Sequence, residues 1–185
     1  MQLEQPVSKI NGLCQQSAYK HWMEWFPAII AAMWAIILGG AGGLLTEIGP
    51  WYHNLKKPSW QPPDWLFGPA WTLILGFAGW SLYLSWVNAP TSQDQMIVAL
   101  LFGANFVLHL AWSPLFFKFK RPDWALAENV LLWASVLALF LVLPRYSALA
   151  GWLNLPYILW VSFAMVLNWK IVQLNAPFAG QPSET

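Results

Sequence analysis

The chain has 185 residues, 58% of them hydrophobic and only 9% charged, with a formal net charge of +1. So few charges could hardly cover a soluble domain of this size, and there is no clustered Lys/Arg face to track phosphates. The composition therefore describes a protein dissolved in lipid and excludes nucleic-acid binding. The single cysteine, Cys14, excludes an internal disulfide and any Cys-based metal cluster.

Residues 1–24 are a polar segment without the apolar stretch of a signal peptide, so the first hydrophobic run is expected to insert as a permanent helix. A helix needs about 20 apolar residues to cross a bilayer core. Five stretches qualify: Trp25 to Leu45, Phe67 to Trp86, Gln95 to Phe117, Trp124 to Leu143 and Leu149 to Leu174. The predicted fold is all-α, a five-transmembrane-helix bundle forming one membrane domain over residues 25–175, with a tail at 176–185.

The first span carries Pro27 near its expected start, then Ala31, Ala35, Gly39 and Gly43 at four-residue spacing. One face is almost bare backbone, the pattern that lets membrane helices approach closely. It reads either as close packing inside one bundle or as a dimer seam.

The longest connection, Thr46 to Leu66, holds Pro50, Pro58, Pro62 and Pro63 among Trp51, Tyr52, Trp60 and Trp65. Disordered segments are poor in aromatics, so this one is read as an ordered lid stiffened by its prolines. The other connections are short and make consecutive spans antiparallel. Lys56, Lys57, Lys118, Lys120, Arg121 and Lys170 then share one side, against Lys9, Lys20 and Arg145 on the other. The excess of positive charge places the lid and the C-terminus in the cytoplasm and the N-terminus outside.

In the third span Asn105, His109 and Trp112 share one helical face, which should point into the bundle or a cavity because polar groups are costly in lipid. His109 either makes an interhelical hydrogen bond or meets a bound molecule. A metal there would need a cofactor such as haem, because no carboxylate lies one turn away. Glu128, early in the fourth span, is read as a carboxylate favoured by the helix dipole and able to reach water. With no buried carboxylate or paired broken helices expected, ion-coupled transport is not indicated. In the fifth span Pro156 should kink the helix, and Trp160, Ala164 and Asn168 form a stripe. That stripe is either core packing or the wall of a flat-ligand site. Ser113 and Ser162 lack a neighbouring base, and no phosphate loop or paired carboxylates are present, so hydrolase and kinase chemistry are excluded.

The run Trp51-Tyr52, Leu55-Lys56-Lys57-Pro58, Trp60, Pro62-Pro63, Trp65, Phe67 and Trp71-Thr72 resembles the signature of the translocator protein family, also called the tryptophan-rich sensory proteins. Matches continue through Trp112-Ser113-Pro114-Leu115-Phe116-Phe117, Ala125 to Glu128, Leu155-Pro156-Tyr157, Trp160, Ala164, Leu167-Asn168 and Leu174-Asn175. The resemblance implies a five-helix membrane protein, often a homodimer, with a pocket beneath the first loop for porphyrins and related tetrapyrroles. Relatives also bind sterols and isoquinoline or benzodiazepine drugs. Carried onto this chain, the pocket would use Tyr52, Pro62, Trp71, His109, Trp160 and Ala164, with Asn105 beside them.

Three departures from the family pattern stand out. The third span has Asn105 and His109 where Gln and Asn are usual, and Leu75 replaces a usual Tyr. Trp169 and Gln173 break the proposed sterol motif, so sterol recognition by it is not expected. The resulting expectation is a membrane protein that binds a tetrapyrrole, such as a porphyrin or haem, for transport or regulatory sensing, with His109 as a candidate haem-iron ligand and no required cofactor. Light- or oxidant-dependent porphyrin degradation is the enzyme alternative; a structural or partner-binding role is the third. Residues 1–24 contain no Arg, and a bacterial envelope is the expected location. Among the tryptophans, Trp22, Trp25, Trp86, Trp124, Trp152 and Trp169 are assigned to the membrane interface, Trp71 and Trp160 to the pocket, and Trp34, Trp80, Trp112 and Trp133 to the core.

Overall fold

Five helices in the computed structural model, which describes residues 5–178, are long and apolar enough to cross a membrane. The elements in chain order are α1 (Gln5–Leu45), α2 (Pro50–Asn54), α3 (Asp64–Asn88), α4 (Ser92–Ser113), α5 (Pro122–Val142), α6 (Ala148–Trp152) and α7 (Leu155–Asn175). A π-helical turn at Pro114–Lys118 extends α4, and a 3-10 turn at Leu143–Arg145 extends α5. The five spans are Trp25–Leu45, Asp64–Asn88, Ser92–Lys118, Pro122–Arg145 and Ala148–Asn175. No strand occurs among the described residues. The side chains of Cys14, His21 and Trp22, and the tail from residue 179, lie outside the description.

Two proline expectations need correction. Pro27 does not sit near the start of a helix; α1 already begins at Gln5 and carries Pro27 in its interior. Pro156 does not kink a continuous fifth span. The helix stops at Trp152 and restarts at Leu155, with Pro156 in the first turn of α7, where a missing N–H breaks no ladder. Polar side chains stitch the break to α3: Asn154 Nδ2 donates to Ser81 Oγ at 2.7 Å and to Ala150 O at 2.8 Å, and Ser81 Oγ donates to Ala150 O at 2.7 Å. Such bonds hold helices together where lipid offers no hydrophobic drive between them.

The core joins α1, α3, α4, α5 and α7 around Leu38, Leu75, Phe102, Val136 and Tyr157. Ala31 and Ala35 pack inside it: a Cβ added to Gly79 of α3 would lie 3.0 Å from Ala31 O and 3.2 Å from the Ala35 Cβ. Trp34 fills the next position, donating from Nε1 to Phe102 O at 3.2 Å with its ring edge-on to that phenylalanine. Trp80, by contrast, is not core; its side chain is exposed on the outside of the bundle, as are those of Trp25, Trp124, Trp152 and Trp169.

The lid and the π-helical turn occupy one end of the bundle. Asn175, the last residue of α7, clasps the lid backbone by accepting from Lys56 N and donating to Lys56 O, both at 2.8 Å. Trp51 meets Phe116 edge-on, and Tyr52 lies against Phe117. At the opposite end Tyr146 Oη donates to Asp94 Oδ1 at 3.2 Å.

Candidate functional site

Beneath the lid lies a cavity of about 390 Å³, walled by α1, the lid, α3, α4, α5 and α7. That volume falls in the range of roughly 300–1,000 Å³ usual for small-molecule sites. Its polar ceiling is a three-residue knot. Tyr52 Oη donates to Asp64 Oδ1 at 2.8 Å, while Gln61 Nε2 donates to Tyr52 Oη at 3.1 Å and to Asp64 Oδ1 at 3.3 Å. Burial, and then the Asp64 carboxylate, push the Tyr52 phenol well above its usual range, so it stays protonated and can keep donating. Lys57 places its ammonium 3.4 Å over the Tyr52 ring, and partial desolvation there lowers its pKa.

The inner wall is aromatic. Trp71 of α3 stands edge-on to three rings at once: His109 at 4.7 Å, Tyr157 at 5.9 Å and Trp160 at 6.3 Å between centroids. Phe67 and Phe163 extend the cluster on either side of Trp160. His109 Nδ1 lies 2.9 Å from Tyr157 Oη. Toward the lid, Trp112 stacks on Phe116 at 5.1 Å. The π-helical turn makes that possible, carrying Phe116 and Phe117 inward, and its neighbour Lys120 takes the left-handed conformation (φ 53°) as the chain reverses.

Of the residues singled out in the sequence, Tyr52, Trp71, His109, Trp160 and Ala164 all line this cavity. Pro62 and Asn105 do not. Pro62 is half-buried within the lid, whose Gln61 and Asp64 reach the cavity instead. Asn105 is fully buried behind the wall, donating to Ser135 Oγ at 2.9 Å and accepting from Tyr157 Oη at 3.2 Å. Sharing a helical face with His109 was not enough, because it lies one turn deeper. Gly39 and Gly43 line the cavity too, so the small-residue stripe of α1 divides between packing on α3 and leaving space in the cavity.

Sequence reasoning missed Gln61, Asp64, Phe67 and Asn129 as wall residues, and left Trp112 to the core. Asp64 and Phe67 were within reach, because Asp64 opens α3 just past the prolines and Phe67 follows one turn on. Asn129 had no such signal. Among the described residues, Trp112 Nε1, Trp160 Nε1, Gln61 Oε1 and Asn129 Oδ1 are buried without a hydrogen-bond partner. These two donors and two acceptors all belong to wall residues. Glu128 corrects an expectation outright: it does not reach water but is 8% exposed, and neither carboxylate oxygen has a partner among the described residues.

The sequence pattern of the TspO/MBR family matches residues 28–174, a stretch that takes in nearly all of the five spans, the lid and every wall of the cavity. The chain belongs to the TspO/MBR family. It is 38% identical over 142 residues to the tryptophan-rich protein TspO of Chlorobaculum tepidum, covering 76% of this chain and 90% of that protein. It is 33% identical over 131 residues to the human translocator protein, covering 70% and 78%. The tryptophan-rich sensory protein of Cereibacter sphaeroides is 31% identical over 155 residues, covering 83% and 94%. As a TspO/MBR protein it is a multi-pass membrane protein. The family blocks of the sequence sit together in space: the lid block, the Trp112–Phe117 block and the Tyr157–Asn168 block all contribute to one cavity. Asn168 ties the last of these blocks to α5, its side-chain amide lying between Pro122 O and Leu126 N at 3.1 Å each, with nitrogen toward the carbonyl.

Proposed function

We propose that the cavity binds a tetrapyrrole, a porphyrin or haem-pathway intermediate, for transport or regulatory sensing across the membrane. The observation that carries this reading is the wall itself: Trp71, Trp160, Trp112 and Phe67 surround one space under the lid. Aromatic faces and edges suit a flat conjugated ring. The lid supplies a closure that excludes water. The excess of Lys and Arg at the lid end supports a cytoplasmic lid and C-terminus. Titration of purified protein with protoporphyrin, followed by the Soret band and by tryptophan fluorescence, is expected to saturate in the micromolar range. Absence of any saturable change would defeat the reading.

A second reading, light- or oxidant-dependent breakdown of the bound porphyrin, draws on one observation. Two indoles, Trp71 and Trp160, line the same space, and the Tyr157 phenol packed against Trp71 is hydrogen-bonded to the His109 imidazole. Illumination of the complex separates the two readings. A spectral change lost in Trp71→Phe and Trp160→Phe favours chemistry, and an unchanged spectrum favours binding alone.

A further inference from the structure

The hydrogen bonds behind the aromatic wall form a directed series, and its direction decides which nitrogen of His109 carries the proton. Ser135 has one hydroxyl proton, and its Oγ lies 2.7 Å from Leu132 O. Two oxygens that close require the proton between them, so Ser135 donates to Leu132 and accepts from its other neighbour. That neighbour is Asn105 Nδ2, at 2.9 Å, which fixes the amide orientation and turns Asn105 Oδ1 toward Tyr157. Tyr157 Oη donates to that oxygen at 3.2 Å, spending its only proton. Its lone pair then accepts from His109 Nδ1 at 2.9 Å. His109 is therefore the Nδ1–H tautomer. Nε2 carries a free lone pair, has no hydrogen-bond partner among the described residues, and belongs to a side chain that lines the cavity.

An unprotonated imidazole nitrogen in an aromatic cavity is a Lewis base, suited to a metal ion and unsuited to a carboxylate or another bare acceptor. We propose that this cavity selects metallated tetrapyrroles over metal-free ones, with His109 Nε2 as the axial ligand and Tyr157, Asn105 and Ser135 as the residues that hold it in that state. The inference rests on the tetrapyrrole reading above. Coordination donates the Nε2 lone pair to the metal and releases no proton, because the nitrogen carries none. Tyr157 is a positioning residue: its oxygen fixes the tautomer and ring orientation, as the outer partners of metal-bound histidines do.

The test compares ferric haem and metal-free protoporphyrin on the full chain in detergent. Wild type is expected to bind haem at least about tenfold more tightly, with the Soret and ligand-field bands of an imidazole-bound haem. His109→Asn is expected to bring the affinity ratio close to one and to abolish the imidazole signature. His109→Ala with added free imidazole is expected to restore that signature. Tyr157→Phe, which leaves the ligating side chain in place but lets its proton move to Nε2, is expected to weaken haem binding by roughly tenfold and shift the haem spectrum. Equal affinities in wild type, or a ratio and spectrum unmoved by His109→Asn, would overturn the inference while leaving tetrapyrrole binding intact. Failure to bind either compound would overturn both.

Discussion

Glu128 is the residue whose placement departs furthest from its sequence. A carboxylate in the first turns of a helix is ordinarily solvated and favoured by the helix dipole, and that rule considers one helix at a time. Here the elements packed on α5 cover those turns, burying Pro122, Ala125 and Asn129 along with Glu128. The oxygens are left without partners among the described residues, and an unpaired buried polar group costs about 1–3 kcal/mol. Glu128→Met, similar in volume and without that demand, is expected to raise the thermal unfolding midpoint in detergent; a lower midpoint would mean that the carboxylate has a stabilising partner. The pocket residues were more legible. Tyr52, Trp71, His109, Trp160 and Ala164 were found because aromatic or small residues at helical spacing mark a face, and a family signature says which face matters. Asn105 was misplaced because periodicity gives an angle around a helix and not the depth at which the wall closes.

At the scale of elements, the five spans were readable because a run of apolar residues long enough to cross a bilayer is a local property. Interruptions within spans were not. The break between α6 and α7 and the π-helical turn after α4 depend on bonds to other elements, such as Asn154 to Ser81, that no single stretch of sequence contains. The contact of α1 with α3 hinges on Gly79, and Gly79→Val is expected to force the pair apart and destabilise the bundle by about 1–3 kcal/mol, read from thermal unfolding. The lid should respond to its clasp. Asn175→Ala removes both bonds to Lys56 and is expected to speed porphyrin release roughly fivefold, measured by stopped-flow fluorescence. Alkali should act on the same element. Because the Tyr52 phenol is raised in the folded lid, its contribution is complete below the ordinary value of 10.0 and declines as pH climbs past it. Release is therefore expected to quicken above that pH in wild type, and Tyr52→Phe to lack the alkaline step.

For the molecule as a whole, the lid, the π-helical turn and the end of α7 gather at one end, bringing Lys56, Lys57, Lys118, Lys120 and Arg121 together, while Arg145 lies at the other. An impermeant thiol reagent is expected to label a cysteine placed at Lys120 only from the cytoplasmic side, and one placed at Arg145 only from the outside, in a Cys14→Ser background. The reverse pattern would invert the assignment. In the proposed orientation the cavity, whose lid shares the basic end, lies toward the cytoplasmic side.

The pairing of Lys56 with Asn175 spans 119 positions of the chain. Membrane proteins of this kind are threaded into the bilayer progressively, and the first two spans with their loop are in place well before the last is made. Until α7 arrives, Trp160 and Ala164 are missing from the wall and the Asn175 clasp on the loop is absent, so the cavity lacks its far side and one of its latches. On the proposed function, competence to retain a ligand is acquired in one late step of biogenesis, and a nascent chain halted after four spans should insert normally yet hold no porphyrin.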